Sequence, residues 1–224
     1  RLPDPPRGAQ DTGGAGPAAR DSPLQTYLGL LRRLPFMAVV LGYAAYTFGL
    51  GGLAFWMPSF LERVRHVAQE EATTGFGVIV LATGFIGTFA GGWLGDHLLR
   101  HSRQAYLWLS GVITLLAAPC ALLALTAPTP GVYYPAIVAA ELLLFMSTGP
   151  INAALVNIAA PLERASAVAL SMFAIHLLGD VPSPLIIGRV SDLSSLATAV
   201  LIVPVAIALA GVVWLVAARI NERR

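Results

Sequence analysis

The sequence predicts an all-α membrane protein of six transmembrane helices, on three observations. Hydrophobic residues make up 56% of the 224-residue chain and charged residues only 12%, about half the charged proportion of a soluble domain. Six stretches reach the roughly 20 apolar residues that a bilayer crossing needs. The arginines flank these stretches instead of interleaving with aromatics, so the formal net charge of +2 is a topology signal and no nucleic-acid partner is expected.

The elements follow in chain order. Arg1 to Asp21 are rich in Pro, Gly, Ala and Arg and lack the apolar core of a signal peptide, which reads as a flexible linker. The chain opens on Arg1 without an initiator Met, and a fragment with its upstream portion missing is expected. Ser22-Pro23 forms a helix start, with Leu24, Tyr27, Leu28 and Leu31 on one face and Arg32 and Arg33 closing it before Pro35. That pattern predicts a short interfacial helix. Residues 1–33 are thus expected to be a cytoplasmic linker with this helix, and residues 34–224 the six-helix bundle.

The spans are expected at Leu34–Leu61, Gly75–Leu99, Ala105–Thr126, Tyr134–Ala159, Ala165–Gly188 and Leu196–Ala218. With both ends on one side, the near side holds Arg1, Arg7, Arg20, Arg32, Arg33, Arg100, Arg103, Arg164, Arg219, Arg223 and Arg224. The far side holds only Arg63, Arg65 and Arg189. Cytoplasmic loops carry excess arginine, so both ends of the segment are expected in the cytoplasm. Pro119, Pro150, Pro182, Pro184 and Pro204 fall inside spans, where a missing backbone donor bends a helix.

Polar residues inside the spans are the candidate functional groups. His176 and Asp180 lie one turn apart in an otherwise apolar segment; a charged residue near the bilayer centre costs roughly 2.5–3.5 kcal/mol and faces protein or a watery path. Glu141 lies in the fourth span at a similar depth, roughly 10–12 Å below the outer surface at 1.5 Å per residue. If the two helices face each other there, Glu141, His176 and Asp180 form a buried cluster able to exchange a proton. The alternative is that His176 and Asp180 bond each other or the Pro182/Pro184 break and only stabilise it. The single cysteine, Cys120, excludes an internal disulfide and a Cys-based metal site. No His-Glu-x-x-His motif is present, and no cofactor, metal or catalytic residue is expected.

The second span carries Gly84, Gly87, Gly91 and Gly95, the last three four residues apart. They form a flat stripe for a close helix neighbour. The span ends in Gly92-x-Leu94-Gly95-Asp96-x-x-x-Arg100, an acid at the helix exit before a basic loop. This resembles the loop motif of the major facilitator superfamily, with His97 where Arg is usual and Leu99 where Gly is usual. Gly51-Gly52-Leu53-Ala54-Phe55-Trp56-Met57-Pro58 and Ile175-His176-Leu177-Leu178-Gly179-Asp180-x-x-Ser183-Pro184 are similar to helices 7 and 11 of its spinster-like branch.

The resemblance implies one half of that fold, the C-terminal six helices, with an N-terminal six-helix half as partner. It implies a secondary active transporter of small organic or lipid-like amphipathic solutes, working by alternating access in the inner or plasma membrane among membrane lipids. It also implies that Gly92, Gly95, Asp96 and Arg100 form a gating loop, with Asp96 meeting the N-terminus of the fifth span in the outward-facing state and releasing it for inward opening. A carboxylate there gains about 0.3–1 kcal/mol from the helix dipole. Glu141, His176, Asp180, Asn152, Tyr43, Tyr46 and Thr47 become candidates for the substrate or proton pathway. Two alternatives remain: a self-contained six-helix intramembrane enzyme, protease or lipid hydrolase, using His176 with a serine, or a channel. Ser110 precedes Gly111 but has no Gly two residues before it, so a glycine-framed nucleophile is lacking.

Overall fold

The computed structural model describes residues 23–102 and 104–222. The linker before residue 23, and Arg1, Arg7, Arg20, Arg103, Arg223 and Arg224 of the orientation argument, lie outside the described residues. Nine α-helices are found among the described residues: α1 Pro23–Arg32, α2 Leu34–Arg63, α3 Gln69–Leu99, α4 Ala105–Thr126, α5 Pro130–Ile158, α6 Arg164–Ile175, α7 Pro182–Leu193, α8 Leu196–Ala199 and α9 Ile202–Glu222. A 3₁₀ turn precedes α6, and a π turn over His176–Asp180 joins α6 to α7. Six helical units are long and apolar enough to cross a membrane: α2, α3, α4, α5, the composite Pro161–Leu193 and the composite Leu196–Glu222.

The start of α2 at Leu34 and both ends of α4 match the apolar stretches, whereas α5 starts four residues before the expected Tyr134, at Pro130. Pro35 sits in the first turn of α2 and Pro130 opens α5, positions where the missing N–H is unpaired in any helix. α3 starts six residues before its apolar stretch, at Gln69, with Glu70 and Glu71 in its first turn. Those acids favour the helix dipole while lowering the hydropathy that marks a span.

α5 packs between α3 and α4, α9 packs between α2 and α4, and the fifth span lies along α2. Trp214 of α9 is fully buried, donates from Nε1 to the Val39 carbonyl at 3.1 Å and packs on the rings of Tyr43 and Tyr46. Gly42 makes room for it, since a Cβ there would lie 2.5 Å from the indole nitrogen. The glycine stripe of α3 faces α5 as its spacing predicts: Gly87, Gly91 and Gly95 are buried, against Leu142, Met146 and Pro150. α3 and the fifth span are the least covered units. Just 17% and 28% of their membrane-length windows is buried, against 44–56% in the other four.

Candidate functional site

A line of polar groups runs along the face of α5 that meets α2. Glu141, Leu144, Thr148 and Asn152 are spaced three, four and four residues apart, which stacks them on one face of the helix. The Tyr46 hydroxyl donates to the Leu144 carbonyl at 2.7 Å and lies 3.1 Å from the Thr148 hydroxyl. One turn further, Asn152 Nδ2 donates to the Tyr43 hydroxyl at 3.0 Å and to the Thr148 carbonyl at 2.8 Å. Glu141 ends the line. It is 1% exposed, and its Oε1 has no hydrogen-bond partner among the described residues. A buried carboxyl oxygen left unpaired is costly, so the bundle holds this carboxyl at a structural expense.

The second arrangement lies where the fifth span crosses α2. Pro182 has no N–H for the Leu178 carbonyl, and its ring would clash with that carbonyl in a regular α-helix. The chain widens into a π turn, in which Val181 N donates to the His176 carbonyl at 3.2 Å. Such turns relieve a Pro and recur at functional sites. The turn is seated on α2. The Thr47 hydroxyl stands 3.1 Å from the carbonyls of Tyr43, Ala44 and Ile175, and Ser183 Oγ donates to the Phe48 carbonyl at 2.7 Å. Gly179 is required, because a Cβ there would overlap the Thr47 hydroxyl.

Thr47→Val keeps the shape and removes the hydroxyl that bridges α2 to Ile175. A loss of about 1–1.5 kcal/mol of stability is expected, read from the thermal unfolding of the detergent-solubilised chain.

His176 and Asp180 bond each other, with Nδ1 2.9–3.0 Å from the two carboxylate oxygens. Their side chains are 60% and 38% exposed. The expectation of a buried cluster with Glu141 is therefore corrected. Glu141 faces into the bundle, whereas the pair lies on the open side of the π turn, because the fifth span packs mainly on α2 and only slightly on α5.

In this conformation the acid of the loop motif is engaged close by. Among the described residues the hydrogen-bond partner of Asp96 is Tyr106, whose hydroxyl donates to Oδ1 at 2.7 Å. The main packing partners of α3 are α5, α2 and α4, and among the described residues Asp96 makes no hydrogen bond to the first turn of the fifth span. That first turn is held instead by Arg33, whose Nη1 and Nη2 both donate to Glu163, the latter at 2.9 Å. The shared hydrogen bonds push the Arg33 guanidinium further up from its ordinary value. Gly95 lets the ring of Tyr106 approach, while Gly92 has open space where a Cβ would stand and Arg100 is exposed.

Sequence reasoning missed the Arg33–Glu163 fork, the Asp96–Tyr106 bond and the place of Thr148. Only Thr148 carried a signal, its four-residue offset from Asn152.

The described geometry is that of a helix bundle with a buried carboxyl and two uncovered spans, and comparison with known proteins decides its family. Residues 1–184 match the family model of the Major Facilitator Superfamily. The chain belongs to the Major Facilitator Superfamily. Its similar proteins place it in the spinster-like branch of the superfamily. It is 33% identical over 204 residues to protein spinster homolog 3 of Danio rerio, covering 85% of this chain and 41% of that protein. It is 31% identical over 205 residues to the sphingosine-1-phosphate transporter SPNS2 of Mus musculus, covering 86% and 37%. The chain thus spans about two fifths of the length of these relatives. The fold matches the crystal structure of a bacterial homolog of the human lysosomal transporter Spinster, inward-facing and unoccupied. The TM-score is 0.77 at 22% identity, over 96% of this chain and 54% of that one. The superfamily chain is accordingly an integral, multi-pass membrane protein with one half of the superfamily fold.

Proposed function

We propose that the chain is the C-terminal half of a spinster-like secondary carrier, not an enzyme, that moves amphipathic, lipid-like solutes by alternating access. The single observation that carries this reading is the likeness to spinster proteins, one of them named as a sphingosine-1-phosphate transporter. The uncovered faces of α3 and the fifth span support it, because carriers of this type hold substrate between two bundles that rock about a midplane site. In this reading the N-terminal half covers those faces. Residues 1–33 form the linker between halves, both ends of the segment lie in the cytoplasm, and Gly92, Gly95, Asp96 and Arg100 act in the gating loop.

Glu141 is the proton-exchanging group, backed by Tyr46, Tyr43 and Asn152. His176 and Asp180 face the second bundle as a gate or relay, held in place by Thr47. Reconstitution tests this. The chain alone in proteoliposomes is expected to show no concentrative uptake of sphingosine-1-phosphate or lysophospholipid. Co-reconstitution with the first six helices of a spinster relative is expected to give it. Coupled uptake by the chain alone would overturn the half-transporter reading, and hydrolysis of the offered lipid would favour an enzyme.

A further inference from the structure

The loop end of α3 carries donor chemistry that the transport reading leaves unused. From the middle of this helix onward an aromatic or imidazole ring recurs every fourth residue: Phe85, Phe89, Trp93, His97 and His101. A spacing of four stacks side chains along one helix face. Phe85 and Phe89 have centroids 4.9 Å apart, Trp93 and His97 stack at 5.9 Å with 17° between their planes, and His97 and His101 also stand 5.9 Å apart. Both histidines are exposed, and among the described residues neither imidazole has a hydrogen-bond or ion-pair partner. Two imidazoles four residues apart are the pair that a helix contributes to a zinc site, where further ligands complete the coordination.

The distance fits. Zinc–nitrogen bonds of about 2.0–2.1 Å place each ring centroid about 3.2 Å from the metal, so two rings on a tetrahedral ion stand about 5 Å apart. A small rotation of the His101 side chain, which lies beyond the helix end, closes the difference from 5.9 Å. We propose that His97 and His101 form a two-imidazole site for a borderline divalent transition metal of the Zn²⁺ or Cu²⁺ class. Trp93 is its positioning residue, because stacking restricts the rotation of the His97 ring, as outer-shell partners do for metal-bound histidines. Among the described residues no group of three or more His, Cys, Asp or Glu is placed to hold a metal, so water fills the remaining positions. Asp96 is engaged by Tyr106 and Arg100 adds positive charge nearby. The site therefore draws its affinity from the imidazole bonds and not from charge. His101 lies two residues beyond the end of α3 at Leu99, so the metal ties the start of the α3–α4 loop to the helix and stiffens it.

The test uses the untagged chain in lipid nanodiscs, with Zn²⁺ titrated against a chromophoric chelator and Cu²⁺ titrated by tryptophan fluorescence. One equivalent of metal per chain is expected, with a Cu²⁺ quench that Trp93→Phe largely removes. His97→Ala and His101→Ala should each weaken binding by at least about tenfold. His66→Gln and His176→Gln, at the other two histidines of the chain, should leave affinity and stoichiometry unchanged. Equal affinity in the His97→Ala/His101→Ala double variant, or no one-equivalent binding by the unaltered chain, overturns the assignment.

Discussion

Gly91→Ala is expected to pry α3 from α5 and destabilise the bundle by about 3 kcal/mol or more, at the upper end of the cost of overpacking a core. A Cβ at Gly91 would fall within the Met146 carbonyl, which is backbone and has no rotamer to yield, and one at Gly87 would lie 2.8 Å from the Leu142 carbonyl oxygen. Relief requires translating a whole helix. Gly92 is the internal control: it lies on the same helix, one residue on, with nothing within 4 Å of its added Cβ. Gly92→Ala should be neutral or stabilise by about 0.4–1 kcal/mol through the unfolded state. Thermal unfolding of both variants in one detergent checks this, and equal effects of the two substitutions would sink the close-packing argument.

Glu141→Gln carries the second large effect. Glutamine preserves the volume but carries no exchangeable charge, so uphill, proton-driven uptake by the chain assembled with its companion half is expected to fall to background. Downhill exchange should persist. Because Oε1 has no partner to lose among the described residues, folding should survive with a cost of at most about 1–3 kcal/mol for the newly buried amide. Unchanged concentrative uptake would remove Glu141 from the proton pathway. Asp180→Asn should alter uptake less, since its carboxylate is 38% exposed and already bonded to His176.

Much of the fold is legible because bilayer spans announce themselves by length and composition. α4 begins and ends where its apolar stretch does, and α2 starts at Leu34 as expected. The stripe of Gly87, Gly91 and Gly95 could be read as well, because a four-residue repeat of residues without side chains has one use on a helix surface. What spacing leaves open is the direction in which each face turns. The four-residue interval between His176 and Asp180 establishes that they can meet, and they do. It says nothing of whether the pair looks toward Glu141 or away from it. The partner of Asp96 was equally hidden, since Tyr106 lies ten residues along, across a loop whose path no local pattern sets. The polar line of Tyr43, Tyr46, Thr148 and Asn152 needed the packing of α2 on α5 before its members could be joined.

The π turn has one further consequence. The buried residues of the fifth span are Ala167, Ser171, Ile175, Gly179, Ser183 and Ile187, a strict interval of four. An ideal helix repeats every 3.6 residues, so each such step oversteps the turn by about 40°, and five steps would carry the seam about halfway round the cylinder. The wide turn rotates the chain less per residue and takes back part of that drift at the middle of the run. It serves as a vernier between two pieces of helix. With it, a seam that would otherwise spiral away from α2 stays in mesh along the whole contact.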